Sequence, residues 1–413
     1  MKLNKILLPT FAILCGLFTM INSASAQIAT FFWQKAGAPN ENWRAVASSA
    51  DGTKLVAAAS YGLVQISTNS GSTWTPTSLS TSLVLPGRTA AASADGTILA
   101  VAAYAKIYVS IDSGATWTAR VGSQNWAGIA CSTNGTKMVA VGEGSPIYTS
   151  TDSGTNWTAR DASRNWADVA SSADGTKLVA AEGGVWGVAG QIYTSTDSGA
   201  TWTARATAQQ WSGVASSADG TKLVAVDWFD SNFSGGAGYL EGAGLGVIYT
   251  SNDSGTNWTR STAPLLGWTS VASSADGSHL VAVSQDTIGQ HLPCLIYTST
   301  DSGASWQLSY ASDIGWQCVA SSADGAKLAA AGLGNAGIYT YATPPTNAPT
   351  LGIAISGGNK LLSWPWPSAG FALQQNSDPA TTNWVTVPNT PAVVNQVIVA
   401  PASPNTFYRL VSP

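Results

Sequence analysis

Charge is scarce in this sequence: only 10% of its 413 residues are Asp, Glu, Lys or Arg. No Lys/Arg cluster occurs, and the formal net charge is -4 with a pI near 5.1. Nucleic acid and anionic membrane surfaces are therefore excluded as expected partners. Histidine is confined to His279 and His291, and the four cysteines show no CxxC or Cys/His spacing. No zinc site, no other metal and no cofactor is expected.

Long apolar runs are also missing, except at the start. Lys2 and Lys5 precede an apolar stretch from Ile6 to Ile21, and Ala24-Ser-Ala26 offers a small-residue cleavage site before Gln27. Residues 1–26 therefore read as an export signal. The run is short for a membrane anchor and is interrupted by Pro9. Leu14 before Cys15 is not the small residue that a lipoprotein signal prefers. Removing Lys2 and Lys5 from 18 basic residues leaves 16 against 22 acidic ones, so the expected mature protein is mildly acidic, secreted or in the cell envelope, with no membrane span. It would keep Cys131, Cys294 and Cys318, an odd number that leaves at least one thiol unpaired or paired between chains.

What the chain has is Ala, Ser, Thr and Gly, 45% hydrophobic residues, and 18 tryptophans. That composition suits a large packed β protein and argues against disorder. The segment Ser150-Thr-Asp152-Ser-Gly154-Thr-Asn-Trp157 recurs as Ser110–Trp117, Ser195–Trp202, Ser251–Trp258 and Ser299–Trp306, with an Asn69 variant at Ser67–Trp74. This S-x-D-x-G-x-x-W box reads as a hairpin tip. The carboxylate is expected to bond backbone N–H groups two residues on, the glycine supplies positive φ, and the tryptophan returns to apolar packing.

A second block, typified by Trp43 to Asp51-Gly, turns at Asp51, Asp95, Asn134, Asp174, Asp219, Asp276 and Asp324, in steps of 44, 39, 40, 45, 57 and 48 residues. Repeats of this length stack as blades or coils. One unit reads as four strands: 166–171, 177–181, 191–196 and 201–205. Seven such units predict a seven-bladed β-propeller. There are seven turns but six boxes. Trp33 precedes Asp51 by 18 residues, and five of the six box tryptophans precede their following turn by 17 or 18, so an N-terminal strand is expected to complete blade seven and close the ring. Six further tryptophans, Trp43, Trp126, Trp166, Trp211, Trp268 and Trp316, open inner strands. Burying one indole is worth roughly 4–6 kcal/mol gross as an upper bound. In a chain this poor in charge, repeated indoles are the expected adhesive between blades, with sugar stacking as the functional alternative for the inner set.

These motifs resemble the Asp-box (BNR) repeat family of β-propellers over roughly residues 30–342. Sialidases, xyloglucan-cleaving glycosidases, sortilin-type receptors and the photosystem II assembly factor family carry such boxes. The resemblance implies structural roles, away from any active centre, for Asn69, Asp112, Asp152, Asp197, Asp253 and Asp301. The expected division is 1–26 signal peptide, 27–343 propeller, 344–350 Pro-rich linker, and 351–413 a small all-β module. The last resembles the fibronectin- or immunoglobulin-like, β-sandwich-like modules of exported bacterial proteins, through Leu-Ser-Trp364-Pro, Gly370-Phe-Ala-Leu and Phe407-Tyr-Arg-Leu.

Three consecutive blades carry long insertions between their second and third strands: 182–190, 227–246 and 285–293. They bring Trp186, Asp227, Trp228, Phe229, Asp230, Tyr239, Glu241, Asp286 and His291 to one face, opposite the boxes. Loops on a rigid scaffold commonly carry recognition, and tolerated solvated loops are the competing reading. Asp227 with Asp230 makes only a weak calcium motif. Cys294 and Cys318 fall in neighbouring blades, and a disulfide and two buried thiols both remain open. A sialidase needs three arginines around a carboxylate, a tyrosine with a glutamate, and an acid/base. Here Arg120, Arg160, Arg205 and Arg260 follow box tryptophans as part of the repeat. The expectation is a monomeric, exported, non-catalytic binding or scaffold propeller for a protein or glycan. The alternative is a divergent carbohydrate-active enzyme of glycosidase or sialidase type.

Overall fold

The computed structural model describes residues 33–60, 63–79, 90–103, 106–122, 124–183, 189–206, 208–228, 245–285, 294–312, 314–334 and 336–342, with six short strands between 352 and 411. Every regular element among them is a β-strand. Seven antiparallel four-stranded sheets follow one another along the chain, with inner strands Trp43–Ser48, Ala90–Ala92, Asn125–Cys131, Trp166–Ser171, Trp211–Ser216, Trp268–Ser273 and Trp316–Ser321. Blade four is representative: Trp166–Ser171, Leu178–Glu182, Ile192–Ser195 and Thr203–Ala204, close to the sequence expectation. In blade seven the outer strand is Trp33–Lys35, antiparallel to Ile338–Ala342 with Trp33 opposite Tyr341. The chain is thus a seven-bladed β-propeller closed by its N-terminal strand.

A cycle of backbone hydrogen bonds at the first hairpin of each blade also closes the ring. Ala50 N–H donates to Ala94 O, Ala94 to Thr133, Thr133 to Ala173, Ala173 to Ala218, Ala218 to Ala275, Ala275 to Ala323, and Ala323 back to Ala50, all at 2.7–2.8 Å. Seven donors meet seven acceptors, so this end of the ring leaves none of these seven peptide groups unmatched.

Side-chain packing between blades repeats in the same way. Each interface has its own apolar cluster, and each cluster holds the tryptophan of a box or, between blades six and seven, Trp33. Six of the seven also hold an inner-strand indole, buried to 0–1% exposure and set against the sheet of the preceding blade. Trp166, for example, packs on Val139, Val141 and Ile147 of blade three and meets Tyr193 edge-on at 5.3 Å. Blade two has no such indole, and alanines and valines fill its contact with blade one. Full burial of the inner indoles favours the adhesive role over a sugar platform.

The boxes are hairpin tips between third and outer strands, but their bonding differs from the sequence expectation. Asp152 Oδ1 accepts the N–H of Asn156, four residues on rather than two, while Ser150 Oγ accepts the N–H of Gly154 and donates to Asp152. The two-residue pattern belongs instead to the Asp-Gly turns, where Asp51 accepts from Thr53. The difference follows from the backbone: the serine before each box glycine is also left-handed, with φ of 54–59° in all six boxes. Two successive left-handed residues coil the chain so that the carboxylate reaches one turn further. Lysines then tie blades together at this end: Lys54, Lys137, Lys177 and Lys222 donate from their Asp/Asn-Gly hairpins to Ser113, Ser198, Ser254 and Ser302 of the next blade's box.

Beyond the propeller, Gly352–Ser356, Asn359–Ser363 and Gln396–Val399 form one antiparallel sheet, and Val385–Thr386, Ala372–Asn376 and Phe407–Val411 another.

Two outcomes follow from this bonding. Deleting residues 27–37 removes Trp33, which is 6% exposed and donates its indole N–H to Ser309 Oγ at 2.9 Å; calorimetry should show a sharply lower Tm, and an unchanged curve would contradict closure. The carboxylates titrate low. The Ser49 hydroxyl, then the Thr53 N–H, hold Asp51 down to about 2, and the Asn156 N–H, then its side-chain amide, do the same to Asp152. Asp95, Asp112, Asp174, Asp197, Asp219 and Asp301 behave alike. Because these folded-state values lie below the ordinary 3.8, their stabilisation is present above that pH and is lost as pH falls toward about 2. Tm measured by circular dichroism should therefore hold from neutral pH to about 5 and drop below about 4.

Candidate functional site

Each inner strand that opens with tryptophan carries an irregularity immediately after it: the register shifts between Trp43 and Ala45, Trp126 and Gly128, Trp166 and Asp168, Trp211 and Gly213, Trp268 and Ser270, and Trp316 and Cys318. A bulge re-aims the extra side chain. Here those side chains are Arg44, Ala127, Ala167, Ser212, Thr269 and Gln317. They lie at the end of the ring opposite the boxes, beside the connections between second and third strands.

From blade five to blade one they form polar links. Ser212 Oγ donates to Trp268 O at 2.7 Å, and Thr269 Oγ1 to Trp316 O at 2.9 Å. Gln317 Nε2 donates to Gln285 Oε1 at 2.6 Å, and its Oε1 receives Arg44 Nη1 at 3.3 Å. Arg44 Nε donates to Ser60 Oγ at 3.0 Å. In blade four, Asp168 Oδ2 accepts the N–H of Val214 from blade five at 3.1 Å. Both oxygens receiving Arg44 are neutral, so a permanent positive charge sits among amides and hydroxyls at this end of the ring. Sequence reading missed Arg44. The signal was there: aligned by their inner tryptophans, the next positions read Arg, Ala, Ala, Ser, Thr and Gln, and one of them carries charge.

The bases of the three insertions lie at the same end. Gly190 pairs with Gln209 and Gly246 with Leu266, and the Trp228 N–H donates to Gln210 O at 3.2 Å. These contacts join connections between second and third strands to connections between blades, the common face that the repeat geometry requires. Of the expected recognition residues, Trp228 is described and is half-buried beside Asp227. Trp186, Phe229, Asp230, Tyr239, Glu241 and His291 lie outside the described residues, as does Asp286. Asp227 itself is fully buried. Its Oδ1 accepts the Val247 N–H at 2.8 Å, so it clamps the foot of the insertion. At the foot of the first insertion the Arg164 guanidinium lies 4.6 Å from the Tyr193 ring centre and 3.6 Å from Asp161, a left-handed residue with φ of 51°. Burial, and then the charge of Glu182, push the Tyr193 phenol up.

No disulfide joins Cys294 to Cys318. Cys294 packs with Trp316 and Val319 between blades six and seven, whereas Cys318 packs with Trp43 and Ala320 between blades seven and one. The sheet of blade seven separates them. Among the described residues no group of three His, Cys, Asp or Glu side chains is placed to hold a metal ion, and no helix is long and apolar enough to cross a membrane.

No family model matches the chain, and no curated protein matches it. Solved structures do. YCF48 bound to a D1 peptide is 15% identical with a TM-score of 0.56, covering 76% of this chain and 97% of that one. The hydrazine synthase of Kuenenia stuttgartiensis is 14% identical with a TM-score of 0.60, covering 78% and 99%. A GH74 xyloglucanase from Xanthomonas campestris is 14% identical with a TM-score of 0.54, covering 81% of this chain and 59% of the enzyme. The likeness is one of fold.

Denatured without reductant, Cys294 and Cys318 should both react with iodoacetamide, as read by peptide mass spectrometry. A linked 294–318 peptide would restore the bridge.

Proposed function

We propose that this chain is an exported, non-catalytic binding or scaffold propeller of the Asp-box type, which receives a protein or glycan ligand on the face carrying Arg44 and the three insertions. In this reading residues 1–26 are the export signal, 27–343 the propeller, 344–350 a linker and 351–413 an accessory module. The boxes with Asn69, Asp112, Asp152, Asp197, Asp253 and Asp301 are structural. The mature protein is secreted or held in the cell envelope as a monomer.

The observation that carries the proposal is the Ser60–Arg44–Gln317–Gln285 chain. It spans blades one, seven and six and presents a guanidinium whose seen partners are uncharged. A guanidinium fork matches a carboxylate bidentately, so an acidic group on the ligand is the favoured anchor. Trp228, beside the longest insertion, supplies apolar area of the kind that binding surfaces favour. Support by analogy comes from YCF48, a propeller of similar fold solved with a peptide bound.

A glycan array run beside a pull-down from envelope extract identifies the ligand. Arg44→Gln should then weaken binding about tenfold or more and reduce its salt dependence, and Trp228→Ala with Tyr239→Ala should cost more than about 1 kcal/mol, both with Tm unchanged. Substitutions of exposed box residues should leave affinity untouched. Loss of binding from the box changes alone would place the functional face at the other end. Steady turnover of a fluorogenic sialoside or of xyloglucan by purified protein would replace the binding role with a catalytic one.

A further inference from the structure

On part of the rim the outer strands carry one cation per blade. Arg120, Arg160 and Arg205 each stand three residues after a box tryptophan, in blades two, three and four. The residue before each is an alanine, and Ala119, Ala159 and Ala204 pair with Tyr108, Tyr148 and Tyr193. One residue on, the side chain turns to the other side of the sheet. Arg160 pairs with Ile147, and the Arg205 N–H donates to Ile192 O. Ile107, Ile147 and Ile192 belong to the clusters where blades two and three, three and four, and four and five meet. The three arginines therefore face the following blade. Arg260 in blade five follows its box tryptophan by two residues and pairs with Tyr249, so it points the other way.

At each junction the arginine reaches the neighbouring box through a single residue. Arg160 Nε donates to Thr149 Oγ1 at 3.2 Å, and Arg205 Nε to Thr194 Oγ1 at 3.0 Å. The methyl branch of each threonine packs on the box glycine of the next blade. A methyl group built on Gly199 would lie 2.7 Å from Thr149 Cγ2 and 3.5 Å from Trp202 Cζ2, and one on Gly255 would lie 2.8 Å from Thr194 Cγ2 and 3.6 Å from Trp258 Cζ2. In blade two Val109 replaces the threonine. It packs on Gly154 beside Trp157 and leaves Arg120 Nε buried without a hydrogen bond. Trp157, Trp202 and Trp258 are half-buried, as are Arg120 and Arg160, while Arg205 is exposed. Among the described residues no carboxylate pairs with any of the three guanidiniums.

We infer that these three junctions are like subsites for an acidic polysaccharide, a polyuronate lying along the rim from blade two to blade five. The chemistry follows from the groups that are paired there. A guanidinium fork matches a carboxylate, and a half-buried indole beside it offers an apolar face to a sugar ring. Repetition supplies the rest. The same pair of groups recurs at successive blades, which suits a polymer whose own unit repeats, and linked weak contacts add up to a strong one. The rim lies outside the face that carries Arg44, so this site stands or falls independently of the ligand proposed there.

The test titrates full-length protein with polygalacturonate, dextran and polyphosphate by calorimetry. Saturable binding of polygalacturonate is expected, and none of dextran. Polyphosphate, which has the charge but no sugar ring, should bind at least about tenfold more weakly, and monomeric galacturonate about a hundredfold more weakly. Arg160→Gln or Arg205→Gln should weaken polygalacturonate binding about tenfold, and Arg120→Gln, Arg160→Gln and Arg205→Gln together should abolish it. Arg260→Gln removes the same charge from the same rim and should leave binding within about twofold. Each variant's Tm is checked, and hydrogen exchange on the unmodified protein gives a readout free of folding effects: the polymer should protect residues 118–122, 158–160 and 203–205. No saturable binding of polygalacturonate, equal binding of polyphosphate, or equal losses from Arg260→Gln and the triple variant would overturn the inference.

Discussion

Every blade of this ring is fastened to the blade before it by an indole that it lends to its neighbour's sheet. The chain has almost no other means. With few charged residues, it cannot rely on ion-pair networks, and its second strands are mostly alanine and valine, too small to interlock sheets by themselves. In six of the seven interfaces an inner tryptophan fills the space near one end, and in all seven a box tryptophan or Trp33 fills the other. The hydrogen bonds add geometry to this adhesion. A net worth of about 0.5–1.5 kcal/mol each makes the Ala50-to-Ala323 cycle modest in energy. As a closed circuit, however, it joins the first hairpin of every blade to that of the next and returns from blade seven to blade one.

The two ends of the ring are built on different terms. At the box end, hydroxyls, carboxylates, lysines and left-handed serines satisfy one another in a pattern repeated almost unchanged from blade to blade, and the carboxylates are held ionised by those bonds. At the other end each blade departs from the pattern. Bulges in six blades admit side chains from alanine to arginine, insertions vary in length, and Arg44 brings in a charge whose described hydrogen-bond partners, Ser60 and Gln317, are neutral. Regularity at one end supplies the rigid base on which irregularity at the other can be carried.

That contrast also explains which features were legible in the sequence. Whatever repeats was readable: the blade count, the hairpin tips, and the closure implied by the spacing of Trp33 to Asp51. Whatever depends on a local break in regularity was not. The reach of Asp152 to Asn156 required knowing that Ser153 is left-handed. The separation of Cys294 from Cys318 required knowing of the bulge after Trp316, because one extra residue reverses which sheet face the following side chains occupy. Arg44 was passed over because it sits inside a repeat, where a single charged substitution reads as variation. The insertion residues have no period to constrain them, so sequence could assign Trp186, Tyr239 and His291 to a face but not to a contact.

The position of the closing strand bears on how the molecule is made. Trp33–Lys35 is among the first of the propeller's residues to leave the ribosome, and its partner, Ile338–Ala342, is the last strand of the ring to appear. Six blades can assemble as they emerge, each on the face of its predecessor, but the first strand must stay unpaired until the seventh blade arrives. Pairing between such distant segments is slow. In exchange it acts as a check on completeness: a chain cut short anywhere before Ile338 leaves that strand without its partner, two sheet edges open, and the backbone circuit or the outer strand of blade seven unmade. Truncated products would therefore advertise themselves to quality-control proteases through exposed β edges, while full-length chains would not.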